Sequence, residues 1–390
     1  MIGAVDDYQR GLREYAALVG GDAEEELAGL RATSPDIYDT LVRHGFGGMV
    51  AGAELSRAQR ELATVAIIAT LGGAHPQLAR HAVAALRQGI TPDELRALCQ
   101  HIAGYAGFPR ALNALSVIDE TLTQQGHARP PALHRIALAD HETVVAQRGT
   151  AGPAVVLVHA LGLDWRMWQP VLDALAVGRR VFAYDVRGHG RAAGAPAAGN
   201  MARLGADLVA LLDALDLDTA HAVGLSYGGA IVQSAAVAAP ERFASLGLLA
   251  TTDEPSPVFA DRAAAAERDG MAAQIASTLT RWFTPAALAN NDWGVRYARD
   301  RTLHDEAGDV AGAWRAFLDF PAREHFAKLT MPTLVLAGTA DVASPPDRMR
   351  DLADRLPNAT FAELAGAPHM LSLEAGDRLA LALDEFLPAR

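Results

Sequence analysis

The pentapeptide Gly224-Leu225-Ser226-Tyr227-Gly228, followed by Gly229, is the segment of this chain whose residue types and spacing most clearly predict chemistry. It lies between an apolar, strand-like AHAVGL and a helix-like AIVQSAAVAA. A serine on so tight a strand-to-helix turn needs small residues two places before and two after it. Its hydroxyl then projects from the strand end, where the N-terminus of the following helix adds positive potential. Such a serine is a nucleophile only if a base removes its proton and an acid orients the base. Asp341 comes just past the apolar run TLVLAG, and His369 sits in Gly366-Ala367-Pro368-His369 after TFAEL. These are the expected acid and base. His304 and His325 also follow Ser226, but in helical, Trp-containing sequence, and are expected to face solvent. Acyl transfer further requires two backbone N–H groups aimed at the developing oxyanion. Tyr227 supplies one. The loop His159-Ala160-Leu161-Gly162 supplies the other, assigned to Leu161.

These residues must be carried by elements that bring strand ends to one edge. HRIALAD and ETVVAQRG read as a hairpin. Segments 154–160, 181–185, 220–226, 245–250, 333–338 and 360–364 read as short apolar strands, most of them separated by helical sequence. Alternation of this kind predicts a doubly wound, mostly parallel sheet with its site at the C-terminal strand ends. Residues 251–325 interrupt the alternation and are expected to form a helical cap. Trp282, Trp293 and Trp314 within it are candidates for a pocket wall or for packing. Asp185-Val-Arg187-Gly188-His189-Gly190 follows another strand. Asp185 and Arg187 are expected to tie loops together, and His189 to be structural.

Residues 1–123 carry a different pattern, helix after helix. Ser56-Arg-Ala-Gln59 and Thr91-Pro92-Asp93-Glu94 are capping boxes, the second with proline at the first helical position. Gln77–Gln88 and a run from about Pro109 to Leu122 have helical periodicity. The polar segment 124–132 reads as a linker. The expected organisation is an all-α domain over 1–123, that linker, and an α/β domain over 133–390.

With 34 basic against 46 acidic residues the net charge is −12, which disfavours nucleic acid and anionic membrane as partners. The single cysteine, Cys99, excludes disulfides within the chain and any multi-cysteine metal site. The sequence begins without a secretory pattern and has no long apolar stretch, so a cytoplasmic protein is expected. Neither cofactor nor metal is expected.

Residues 133–390 resemble the α/β-hydrolase superfamily, in which the nucleophile, acid and histidine occur in that chain order. HALGLDWRMWQPVLDAL, DVRGHG, LVALLDALDLDTAHAVGLSYGG and the cap segment RWFTP are similar to 3-oxoadipate enol-lactonases. The resemblance implies Ser226, Asp341 and His369 as the triad, Leu161 and Tyr227 as the oxyanion hole, and a small lactone or ester as substrate.

Residues 2–123 resemble the carboxymuconolactone decarboxylase family through RHGFGG, LSRAQREL, RHAVAALRQGI and YAGFPRALNA. The thiol chemistry in that family needs a CxxC before a helical histidine. Here the histidine is His81, but Ala74 and Gln77 stand at the cysteine positions, so that chemistry is excluded. Cofactor-free decarboxylation remains open, with His81 as proton donor and Glu61 as its partner. His44 and His101 are weaker candidates, and Arg80 a candidate anion contact. The family's arginine ahead of the LSRAQREL segment is missing at Gly52-Ala53-Glu54. Three readings follow: a hydrolase alone, a bifunctional decarboxylase and enol-lactonase or a secondary-metabolism relative, and a hydrolase whose N-terminal domain serves only to build a homo-oligomer.

Overall fold

The computed structural model describes residues 6–52, 54–127, 129–320 and 322–388. The first five residues, Ala53 and the linker residue Ala128 lie outside the described set. Two compact units divide between Pro130 and Pro131.

The first unit is helical throughout its described elements. Its principal helices are Arg57–Leu71, His75–Arg87, Pro92–Ala106 and Phe108–Gln124. Both expected capping boxes form. The Ser56 hydroxyl accepts from Gln59 N–H while the Gln59 side chain accepts from Ser56 N–H, and Thr91 and Glu94 do the same. Each box satisfies donors that a helix start otherwise leaves open, worth about 1 kcal/mol. The apolar faces meet in a core that includes Val65, Leu78, Ala82, Leu95, Cys99, Ile118 and Leu122. Burial pushes the Cys99 thiol up to about 11, so it stays protonated. A π-helical segment, Leu41–Val50, lies against the helix Asp7–Val19 so closely that a methyl on Gly11 would stand 1.9 Å from the Val42 carbonyl oxygen.

The second unit is an eight-stranded sheet: β1 (Ala132–Ala137), β2 (Glu142–Arg148), β3 (Ala154–Val158), β4 (Arg180–Tyr184), β5 (Ala220–Leu225), β6 (Phe243–Leu249), β7 (Thr333–Gly338) and β8 (Ala359–Leu364). Their spatial order is β1-β2-β4-β3-β5-β6-β7-β8. The β1–β2 and β2–β4 pairs are antiparallel and the rest are parallel. β3, β5 and β7 are buried along their whole length, as a parallel sheet covered on both faces requires. Alternate β3 residues divide between two cores. Val156 and Val158 pack toward the helices Met201–Ala214 and Tyr227–Ala238, and Val155 and Leu157 toward Gln169–Leu175 and Gly376–Phe386. Each such fully buried side chain stabilises by about 1.5–3 kcal/mol. Between β6 and β7 come the helical segments of the cap, including Val258–Trp282, Trp293–His304 and Ala307–Ala316. No helix among the described residues is long and apolar enough to cross a membrane.

Candidate active site

The turn that carries Ser226 is set by glycine sterics. Ser226 has φ 54° and ψ −114°, a backbone state that an L-residue holds only under constraint from its surroundings. That constraint is specific. A methyl on Gly224 would stand 2.2 Å from the Gly228 carbonyl oxygen, and one on Gly228 would stand 2.1 Å from that of Val158. Ser226 N–H donates to the Leu249 carbonyl at 2.8 Å, and the Ser226 carbonyl accepts from the Thr251 hydroxyl at 2.6 Å. The strained turn is thus pinned to the ends of both neighbouring strands, β3 and β6.

The Ser226 Oγ lies 3.0 Å from His369 Nε2, and His369 Nδ1 lies 2.8 Å from Asp341 Oδ2. Both loops that supply these groups are tied to each other. Ala340 N–H donates to the Ala367 carbonyl at 3.0 Å, and Gly366 N–H to the Thr339 hydroxyl at 2.6 Å. A Cβ at Gly338, the last residue of β7, would meet the Ala367 oxygen at 2.2 Å, so glycine is needed for that approach. The loop is also held from the cap, where the Trp282 carbonyl accepts from Met370 N–H at 3.1 Å.

Asp341 is enclosed. Burial alone pushes its carboxyl pKa up, but the His369 charge, the His369 hydrogen bond and the N–H groups of Ser344 and Ala343 outweigh it, and the net direction is down. Its Oδ1 accepts from Ala343 N–H at 2.7 Å and Ser344 N–H at 2.9 Å, which leaves Oδ2 for the imidazole. An ionised Asp341 therefore holds the proton of His369 on Nδ1 and presents Nε2 as an acceptor to the serine hydroxyl.

Tyr227 opens the helix Tyr227–Ala238, so its N–H is among those a helix start leaves without an intrahelical acceptor. Leu161 is buried just beyond β3, and among the described residues its N–H has no hydrogen-bond acceptor. The loop bearing Leu161 is braced by His159, whose Nδ1 meets the Ala160 carbonyl at 2.8 Å and whose Nε2 accepts from Val186 N–H at 2.8 Å. Burial, reinforced by His189, lowers His159 to about 3, so it stays neutral and can make both contacts. The signal for this brace in the sequence is the first residue of the HALG segment.

Asp185 accepts from Trp165 N–H and Arg191 N–H, while Arg187 pairs with Asp207 and Asp140; both join loops. His189 is buried, with Nδ1 on the Arg187 carbonyl. His304 is exposed and His325 is half-buried. Trp282 and Trp314 line a cap cavity beside Leu161, while Trp293 stacks on Tyr297 outside it. In the helical unit, His81 Nδ1 lies 2.8 Å from Glu61 Oε2, with Glu61 buried and His81 partly open. His44, Arg80 and His101 are exposed, and His101 packs on Tyr105.

Residues 153–376 match the family model for the alpha/beta hydrolase fold. The chain belongs to that family. This hydrolase unit follows a segment, residues 35–120, that matches the carboxymuconolactone decarboxylase family. Over 194 residues the chain is 34% identical to 3-oxoadipate enol-lactonase 1 of Acinetobacter baylyi, spanning 48% of this chain and 71% of the relative. It is 27% identical to enol-lactonase 2 of the same strain, across 57% of this chain and 84% of the relative. Among solved structures, the enol-lactonase from Burkholderia xenovorans LB400 aligns with a TM-score of 0.62 at 29% identity, over 65% of this chain and 99% of that one. A thermophilic esterase from Thermogutta terrifontis aligns with a TM-score of 0.60 at 27% identity, over 65% of this chain and 97% of that one. The family, fold and relatives together support hydrolysis of the lactone or ester type.

Proposed function

We propose that the protein is a serine hydrolase that opens a lactone or cleaves a small ester through Ser226, His369 and Asp341. The observation that carries this reading is the unbroken chain Ser226–His369–Asp341 at 3.0 and 2.8 Å, with the serine in a strained turn. His369 Nε2 takes the hydroxyl proton as Ser226 Oγ attacks the carbonyl carbon. The Leu161 and Tyr227 amides hold the resulting oxyanion. Collapse breaks the bond to the leaving oxygen, which takes the proton from His369; in an enol-lactone that oxygen is an enol, still tethered to the acyl chain. A water then gives its proton to His369 and attacks the acyl-serine; the acyl–Oγ bond breaks, Ser226 Oγ takes the proton back from His369, and the acid is released. Ser226→Ala, assayed on a panel of lactones and aryl esters that includes 3-oxoadipate enol-lactone, is expected to lose about 10⁶-fold in kcat. Near-normal turnover by that variant overturns the assignment.

A second activity is supported by the His81–Glu61 pair. A carboxymuconolactone losing CO2 spreads the charge through its ring double bond into the lactone carbonyl, so it needs only desolvation and a proton donor, the role of His81. Release of CO2 that survives Ser226→Ala and disappears in His81→Ala is the expected result; no release by the intact protein removes this activity. The same helical unit exposes Leu71 (69%), Tyr105 (84%) and Phe108 (71%), which supports homo-oligomer formation through it. A monomer in sedimentation at micromolar concentration contradicts that.

A further inference from the structure

Beside Leu161 and Gly162 the cap lines a cavity of about 50 Å³, several times the roughly 10–15 Å³ that one water needs on the same measure, so a carboxylate-sized group fits. Its apolar walls include Met271, Trp282 and Trp314, and two arginines, Arg262 and Arg281, reach into it. No aspartate or glutamate lines it. The Arg262 guanidinium stacks over the Trp314 ring at 4.8 Å from the centroid, and Arg281 meets the Thr278 hydroxyl at 3.4 Å. Among the described residues neither makes an ion pair. Three other cap arginines do: Arg301 with Asp305 at 2.6 Å, Arg315 with Glu267 at 2.6 Å and Arg323 with Asp253 at 2.8 Å. In a chain with a net charge of −12, these two half-buried guanidiniums face a cavity with no carboxylate in its lining. Burial, then the Arg281 charge, lower Arg262 to about 10, and burial lowers Arg281. Both lack the anion that would stabilise them.

The chain geometry that joins them is local. Arg262 and Arg281 are 19 positions apart, about 28 Å along a continuous helix. Gly270, with φ 73° and ψ 169°, breaks the run Val258–Trp282 between them. Its two arms then carry both side chains to one cavity next to the oxyanion loop.

We propose that Arg262 and Arg281 form an anion subsite, and that the acyl substrate of Ser226 carries a carboxylate that seats between them. This rests on the hydrolase reading above. Charge-assisted hydrogen bonds of this kind are worth about 10- to 100-fold in affinity.

The test compares p-nitrophenyl esters of glutaric acid, with one free carboxylate, and of pentanoic acid, its neutral counterpart. The intact protein is expected to favour the anionic ester by about 10-fold or more in kcat/KM. In Arg262→Met, Arg281→Met and the double variant, which keep the aliphatic stems, that preference should collapse mainly through KM, and Arg281→Lys should restore part of it. Equal use of both esters by the intact protein, or a preference untouched by the double variant, overturns the subsite while the hydrolase reading stands. Failure to cleave either ester counts against the hydrolase reading instead. The subsite is then judged by glutarate alone: it should raise the melting temperature of the intact protein and not of the double variant. No rise in the intact protein overturns it.

Discussion

Asp341→Asn changes one atom, and the surroundings of Asp341 dictate how the asparagine must sit. Asp341 Oδ1 accepts two backbone N–H groups, at 2.7 and 2.9 Å, so the amide oxygen of an asparagine has to occupy that side. The reverse orientation would set an NH2 group against two donors in an enclosed site, at a cost of about 1–3 kcal/mol for each unmet contact. The amide nitrogen therefore replaces Oδ2, 2.8 Å from His369 Nδ1. A donor there requires Nδ1 to accept. The proton moves to Nε2, which lies 3.0 Å from Ser226 Oγ and can then no longer receive the hydroxyl proton. The fold keeps its packing and both backbone hydrogen bonds, so the loss falls on the chemical step. A wrong tautomer in a triad of this geometry lowers kcat by about 10⁴, or about 5.4 kcal/mol of barrier. Stopped-flow acylation with an activated aryl ester, together with KM and the melting temperature, separates the effects. The expected variant is folded, binds ester with a near-normal KM, and acylates about 10⁴ times more slowly. A folded variant that keeps a tenth or more of the acylation rate refutes the reasoning, because Asp341 would then not fix the imidazole proton.

Gly228→Ala would set a methyl 2.1 Å from the Val158 carbonyl oxygen and 2.8 Å from that of His159, both backbone atoms that cannot swing away. The turn must shift and carry the Tyr227 N–H with it; a loss of about 100-fold in kcat is expected, and unaltered kcat in a folded variant contradicts the placement of that donor. Asp305, at the C-terminal end of the cap helix Trp293–His304, has its carboxyl pushed up to about 7 by burial, with Arg301 opposing and Asp164 and Asp309 adding to the rise. Its folded pKa exceeds the unfolded value, so the native state binds more protons between about pH 4 and pH 7 and stability falls as pH rises through that window. Three pKa units correspond to about 4 kcal/mol. Asp305→Asn is expected to flatten the pH dependence of denaturant unfolding by an amount of that order, and identical slopes for the two proteins speak against a buried carboxyl with a raised pKa.

The parts of this molecule legible in its sequence are those in which one residue type serves one local requirement. The capping boxes at Ser56 and Thr91 are complete within four residues, and both form as spaced. The sheet could be read because apolar runs of strand length alternate with helices, and a doubly wound sheet brings their C-terminal ends to one edge. The proximity of Ser226, Asp341 and His369 follows from that rule, since each comes at or just past such an end. Contacts across chain-distant elements were not legible. Nothing local marks His159 as a brace for the Leu161 loop, because its acceptor role depends on Val186 after the neighbouring strand β4. Nor does the sequence mark the Leu41–Val50 segment as π-helical, since its geometry follows a close packing against Asp7–Val19 that Gly11 and Gly47 permit.

Arg262 and Arg281 show the limit most plainly. Within 251–325 each is an ordinary arginine in helical sequence, and even a helical-face argument places them far apart. Their meeting depends on a left-handed glycine at position 270, which in sequence looks like a tolerated defect in a helix. That no carboxylate lines the cavity they face is a three-dimensional property, which no stretch of sequence displays. The strained turn at Ser226 can be recognised from five residues because its strain is local. The proposed anion subsite is built from residues that only the cap's bend assembles, so on this proposal the same serine, histidine and aspartate under a differently broken cap would accept a different acid.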